Sequence, residues 1–181
     1  MKRSKQHSNL LYESLKEIEY AHLYHFDTKL MTDAEIELQH IWLEVQAERW
    51  QNLSRFFFSF YCYRLNLVSK SNKVCWETAR AELPCSLSIK ERKHAVIEPL
   101  VPEETIVGLL KTKTKDGEMS FDAMTRTLDG FLHYVVISKK EKAQLLSNMP
   151  ASWYQQHHKP ILARFEHANI VIDKKQNSVK T

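Results

Sequence analysis

The sequence predicts a helix-rich α+β protein, and three observations carry that expectation. Glycine occurs at only three of 181 positions, Gly108, Gly117 and Gly130, too few for the tight turns of an all-β sandwich. Two Ser/Thr-x-x-Glu boxes, Thr32-Asp33-Ala34-Glu35 and Ser138-Lys139-Lys140-Glu141, mark helix starts, because the hydroxyl and the glutamate can each satisfy a backbone N–H of the first turn. The stretch Phe56–Arg80, FFFSFYCYRLNLVSKSNKVCWETAR, is the densest aromatic and β-prone run and reads as the end of a helix entering an antiparallel hairpin. The length suits one domain, over residues 9–172, between polar residues 1–8 and a polar tail at 173–181. Residues 1–8 are expected to be disordered.

In chain order, Leu11, Leu15, Ile18, His22, Leu23 and Phe26 recur at helical spacing. Thr32 then opens a helix over about Asp33 to Phe57, with Leu38, Ile41, Trp42, Val45, Leu53 and Phe56 inward; the two form an N-terminal helical hairpin. From Phe57 the chain can be read by alternation, with Phe57, Tyr61, Tyr63, Leu65 and Leu67 on one face of a strand. Ser69–Asn72 suits a turn, with Asn72 tolerant of a left-handed backbone. Val74–Arg80 returns, and Pro84 ends the pairing. The alternative is a continuous helix from Asp33 through Tyr63.

Beyond Pro84, the alternation of Leu87 and Ile89 with serines suggests a third short strand. Pro102-Glu103-Glu104 places proline and two acids at a helix start, with the helix running to about Leu110 and an exposed basic segment at Lys111–Gly117. Ser120 caps a helix with Phe121, Met124 and Leu128 inward, Gly130 ends it, and Phe131–Ile137 is strand-like. Helices follow from Ser138 to about Asn148, from Pro150 to about His158, and from Ile161 to about Ile172.

Several chemistries are not expected. There is no GxGxxG, GxxxxGK or GxSxG motif. Cys62, Cys75 and Cys85 are odd in number and lack a CxxC pair, which suits reduced thiols. His22 and His25 have a two-ligand spacing but no further ligands, and the adjacent His157 and His158 diverge on a helix. Catalytic residues, metal and cofactor are therefore expected to be none. No run reaches the roughly 18 apolar residues of a membrane span, and the basic N-terminus lacks a signal-peptide core, so the expected location is cytoplasmic, with no membrane partner.

The net charge is +4, distributed as −2 over residues 1–60, +2 over 61–120 and +4 over 121–181. This asymmetry points to an anionic partner for the later part. The candidate nucleic-acid-binding residues are Arg64, Lys70, Lys73 and Arg80 on the expected hairpin, Lys90, Arg92 and Lys93 after it, and Lys139 and Lys140. Such groups gain affinity by displacing condensed counterions from phosphates, and Tyr61, Tyr63 and Trp76 beside the first group can stack on bases.

The order of certain short motifs, Arg64-Leu65-Asn66-Leu67, Trp76-Glu77, Ile137-Ser138-Lys139-Lys140, Trp153 and Leu162-Ala163-Arg164-Phe165-Glu166, resembles the MobI-type auxiliary proteins of conjugative plasmids and integrative elements. The resemblance covers scattered positions over about two thirds of the chain and finds no counterpart for Pro84–Gly130. It implies an origin-of-transfer factor that binds DNA and helps a relaxase, and it supplies no contact residue. The expected function is a non-enzymatic nucleic-acid-binding accessory protein, with duplex DNA and a relaxase or other transfer protein as partners. The alternative is a protein-interaction module, a small regulator or inhibitor that docks through the aromatic hairpin and the acidic first helices.

Overall fold

A computed structural model describes residues 30–147 and 160–173. The expected elements at 10–29 and at 150–158, residues 1–8, the polar tail beyond Asp173 and the histidine pairs lie outside the described residues. The described residues from Thr32 onward belong to one unit, helix-rich α+β as the sequence predicts.

The Thr32 capping box is formed: its hydroxyl accepts from Glu35 N–H, and the Glu35 carboxylate accepts from Thr32 N–H. Helix α1 follows, Asp33–Gln46. It does not run on to Phe57. The backbone turns left-handed at Glu48 (φ 51°), passes through a single 3-10 turn at Trp50–Asn52, and restarts as α2, Ser54–Arg64. The Glu44 carboxylate closes this corner by accepting from Arg49 at 2.9 Å and from Asn52 at 2.8 Å. Two helices thus replace one, and α2 packs back against α1.

The expected hairpin over 57–80 is corrected by α2. Leu53, Phe57, Phe60 and Tyr61 are all buried, at spacings of four, three and one, which is one helical face rather than alternate residues of a strand. The run Phe56–Tyr63 is apolar on nearly every side, so its pattern alone does not select a period, and packing against α1 does. The return segment is also a helix, α3, Trp76–Glu82. Only the tip of the hairpin survives: Val68 and Val74 form one antiparallel bridge, Ser69 N–H donates to Lys73 C=O at 2.8 Å, and Asn72 sits at φ 56°.

The antiparallel sheet lies later in the chain. Strand β1, Val96–Pro99, pairs with β2, Tyr134–Ile137, in the register Val96↔Ile137 to Pro99↔Tyr134. On the other side of β2, Val136 N–H donates to Pro84 C=O at 2.8 Å and Val136 C=O accepts from Ser86 N–H at 3.0 Å. Leu87 N–H donates to Val171 C=O at 2.9 Å, and Asp173 N–H to Cys85 C=O at 2.8 Å. The third strand expected near Leu87 is therefore a short bridging segment at 84–87.

Between the strands lie α4, Glu103–Lys115, and α5, Phe121–Phe131. The first runs past the end expected near Leu110 and takes in Lys111, Lys113 and Lys115 of the expected basic segment. Ser120 caps α5, with Met124 and Leu128 fully buried. The Ser138 capping box opens a helix of one turn, α6, Lys139–Lys142, shorter than expected. The last helix, α7, Ala163–His167, is also shorter than expected and buries Phe165.

All four residues of β2 are buried, and their alternation sorts the core. Tyr134 and Val136 enter the larger cluster with Phe57, Leu110, Met124 and Leu128. Val135 and Ile137 enter a smaller one with Leu100, Phe165 and Ile170. Truncation of the fully buried Phe57 to alanine is expected to cost about 3–5 kcal/mol in urea unfolding. Leu87→Ala, at a side chain 65% exposed, is expected to cost under about 0.5 kcal/mol.

Candidate functional site

The most chemically loaded concavity is a groove of about 440 Å³ between β1, the start of α4, the start of β2 and the aromatic side chains Phe58 and Trp76. One end is built on charge. Glu98, on β1, keeps only 8% of its side chain exposed, and two cations hold it: Arg164 at 2.7 Å and Lys142 at 3.0 Å. The Arg164 guanidinium is itself tied in through all three nitrogens, with Nε donating to Leu146 C=O at 2.8 Å and Nη1 to Pro99 C=O at 3.3 Å while Nη2 holds Glu98. Burial of a carboxylate is tolerated here because its charge and its lone pairs are both answered.

The other end is aromatic and acidic. Trp76 is 54% exposed, yet its ring is held by stacking on Phe58, with centroids 4.1 Å apart and planes within 18°. Phe58 in turn meets Tyr134 edge-on at 5.2 Å. The Tyr134 hydroxyl donates to Glu103 at 2.6 Å. Burial raises the Glu103 pKa above its usual range; hydrogen bonds from Tyr134 and Ser54 oppose the shift, while Glu104 and Glu98 add to it. Burial, and next the Glu103 charge, push the Tyr134 phenol upward. Glu104 is exposed at the rim.

Among the candidate phosphate contacts, the three arginines serve the fold. Arg64 is ion-paired with Asp129 and lies over the rings of Phe60 and Tyr61, at 5.2 and 5.7 Å. Arg80 donates to the Lys93 carbonyl at 2.9 Å. Arg92 donates to the carbonyls of Arg80, Ala81 and Leu83 at 2.9, 2.5 and 2.9 Å, which caps the C-terminal end of α3, where carbonyls lack helical partners.

The six lysines are exposed. Lys70 and Lys73 lie on the turn after α2. Lys90 and Lys139, distant in sequence, line one hollow of about 300 Å³ together with His94 and Glu91; Lys93 follows Lys90 after two residues and Lys140 directly follows Lys139. Burial drives the Cys62 thiol up to about 12, with Cys75 adding to the shift, which leaves it inert at neutral pH. The described residues hold 17 lysines and arginines against 18 aspartates and glutamates, so their formal charge is −1 and the positive excess of the chain lies elsewhere.

Sequence reasoning did not select Glu98, Glu103, Tyr134 or Arg164 as site residues. One signal was present: Glu98 interrupts the apolar run Val96-Ile97 within a four-residue strand, and an acid in a half-buried strand requires a cation. That the cations are Arg164 and Lys142 is a property of the tertiary fold.

With this geometry in hand, the chain was compared with models of known protein families, with curated proteins and with solved structures, and nothing matched. Among the described residues no helix is long and apolar enough to cross a membrane.

Two measurements check the electrostatics. Glu98→Gln strands a buried guanidinium, with an expected loss of about 3–5 kcal/mol; the double change Glu98→Leu with Arg164→Met removes both charges and is expected to recover most of it. For Glu103 the native pKa lies above its ordinary value near 4.5, so the native state binds more protons than the unfolded state as pH rises from there. Its contribution is therefore present at low pH and lost as pH rises through the native pKa. Glu103→Gln is expected to flatten that decline in urea titrations taken at successive pH values from about 4.5 upward.

Proposed function

We propose that the chain is a non-enzymatic accessory protein that binds the backbone of duplex DNA through Lys90, Lys93, Lys139 and Lys140. The observation that carries this reading is the shared hollow of Lys90 and Lys139, which joins two basic segments on one surface. Among the described residues none of these four ammonium groups has a carboxylate within ion-pair distance, whereas Lys142 is paired with Glu98. Exposed, unpaired lysines cost the fold little and are free to displace counterions from phosphates. The described residues carry a formal charge of −1, so within them the footprint rests on these groups. The resemblance to MobI-type auxiliary proteins gives the proposal a setting, an origin of transfer with a relaxase as the assisted enzyme. A protein-interaction reading has its own support in the groove lined by Trp76 and Glu104.

The salt dependence of duplex binding tests the proposal. Lys90→Ala with Lys139→Ala is expected to weaken specific and random duplexes alike and to reduce the slope of log affinity against log salt by about 2, roughly 0.9 per lost contact. Lys70→Ala with Lys73→Ala is expected to leave the slope unchanged. A slope carried by Lys70 and Lys73 would move the interface to the turn, and no duplex binding by the unaltered protein at low salt would end the reading.

A further inference from the structure

We infer that the groove beside β1 is a second, separate binding site, one that seats a lysine or arginine side chain from a partner protein. The aromatic wall comes first. Stacking on Phe58 covers one face of the Trp76 indole, and the 54% exposure of the residue leaves the other open. An exposed tryptophan fixed in orientation in this way offers a flat, electron-rich surface to a cation without first having to be ordered.

The charge balance of the groove supplies the complement. Its two cations are committed: Arg164 uses Nε, Nη1 and Nη2 within the protein, and Lys142 faces Glu98. The two carboxylates at the aromatic end are not matched in the same way. Glu103 is held by the Tyr134 hydroxyl, a neutral donor, and Glu104 has no ion pair among the described residues. Negative charge is therefore in excess beside an open aromatic face, and a guanidinium or ammonium group on a flexible apolar stem answers both features. Its stem lies along Trp76 and Pro102, and its head reaches the carboxylates. An anionic ligand would meet Glu104 at the rim, and each Arg164 nitrogen already donates within the protein.

The site uses none of the four lysines proposed to contact DNA, so the two readings fail independently. The test titrates the full chain with two synthetic peptides, Ac-Ala-Leu-Arg-Leu-Ala-NH2 and Ac-Ala-Leu-Glu-Leu-Ala-NH2, while the indole N–H resonance of Trp76 is followed, assigned by its loss in Trp76→Phe. The arginine peptide is expected to shift that resonance saturably, and the glutamate peptide to bind about tenfold more weakly. Glu104→Gln, at an exposed position that does not threaten folding, is expected to weaken the arginine peptide about fivefold. Lys90→Ala with Lys139→Ala is expected to leave it unchanged. Equal shifts from the two peptides, no shift at millimolar arginine peptide, or an affinity indifferent to Glu104→Gln would each overturn the proposal.

Discussion

The burial of β2 on both faces is the constraint from which the rest of the structure follows. A strand of four residues, Tyr134–Ile137, has no exposed face, so each side must be given a core, and the period of two assigns alternate residues to each. The larger core collects α1, α2, α4 and α5, and the smaller is closed by α7. Because β1 pairs with one edge of β2, Glu98 is carried into a low-dielectric position where it has to be paired. Arg164 meets that need, and in doing so ties the β1 end, the turn at Leu146 and α7 together. The groove is what remains open at the mouth of this arrangement.

How much of this is legible in the sequence depends on where the local signal is unambiguous. Helix starts that rest on a side chain bonding its own first turn are correctly placed: Thr32, Ser120 and Ser138 all cap. The strand is legible too, as a β-branched pair before a capping box, although it starts at Tyr134 rather than Phe131 because α5 runs through Gly130 to Phe131. Helix lengths are less so. The break after Gln46 rests on a left-handed Glu48, a residue that carries no special preference for that conformation, and on a Glu44–Arg49–Asn52 cluster that exists only once the corner has formed. The aromatic run Phe56–Tyr63 deceives for a different reason. Bulky residues on every side satisfy either period, and α1 decides between them.

The candidate binding residues divide along a chemical line. All three arginines are drawn into the structure, where a planar fork with several donors can satisfy carbonyls or a carboxylate at fixed angles. The six lysines stay at the surface, as compact hydrated charges. A charge count along the chain treats the two residue types alike, which is why it nominated Arg64, Arg80 and Arg92 beside Lys90 and Lys139. The same count locates the positive excess in the later part of the chain, whereas 17 basic against 18 acidic side chains occupy the described residues.

The segment at 84–87 borrows its second partner from residues 171–173. That partner lies far from β1 and beyond β2 in the chain, so the two strands can pair while it is still undocked. Until it docks, the bridging segment presents Leu87 N–H and Cys85 C=O to the surroundings as an uncovered sheet margin, which is the feature that invites pairing with foreign strands. Docking of 171–173 therefore covers this sheet margin as well as bonding it, and a state in which that segment is detached opens the edge to foreign strands.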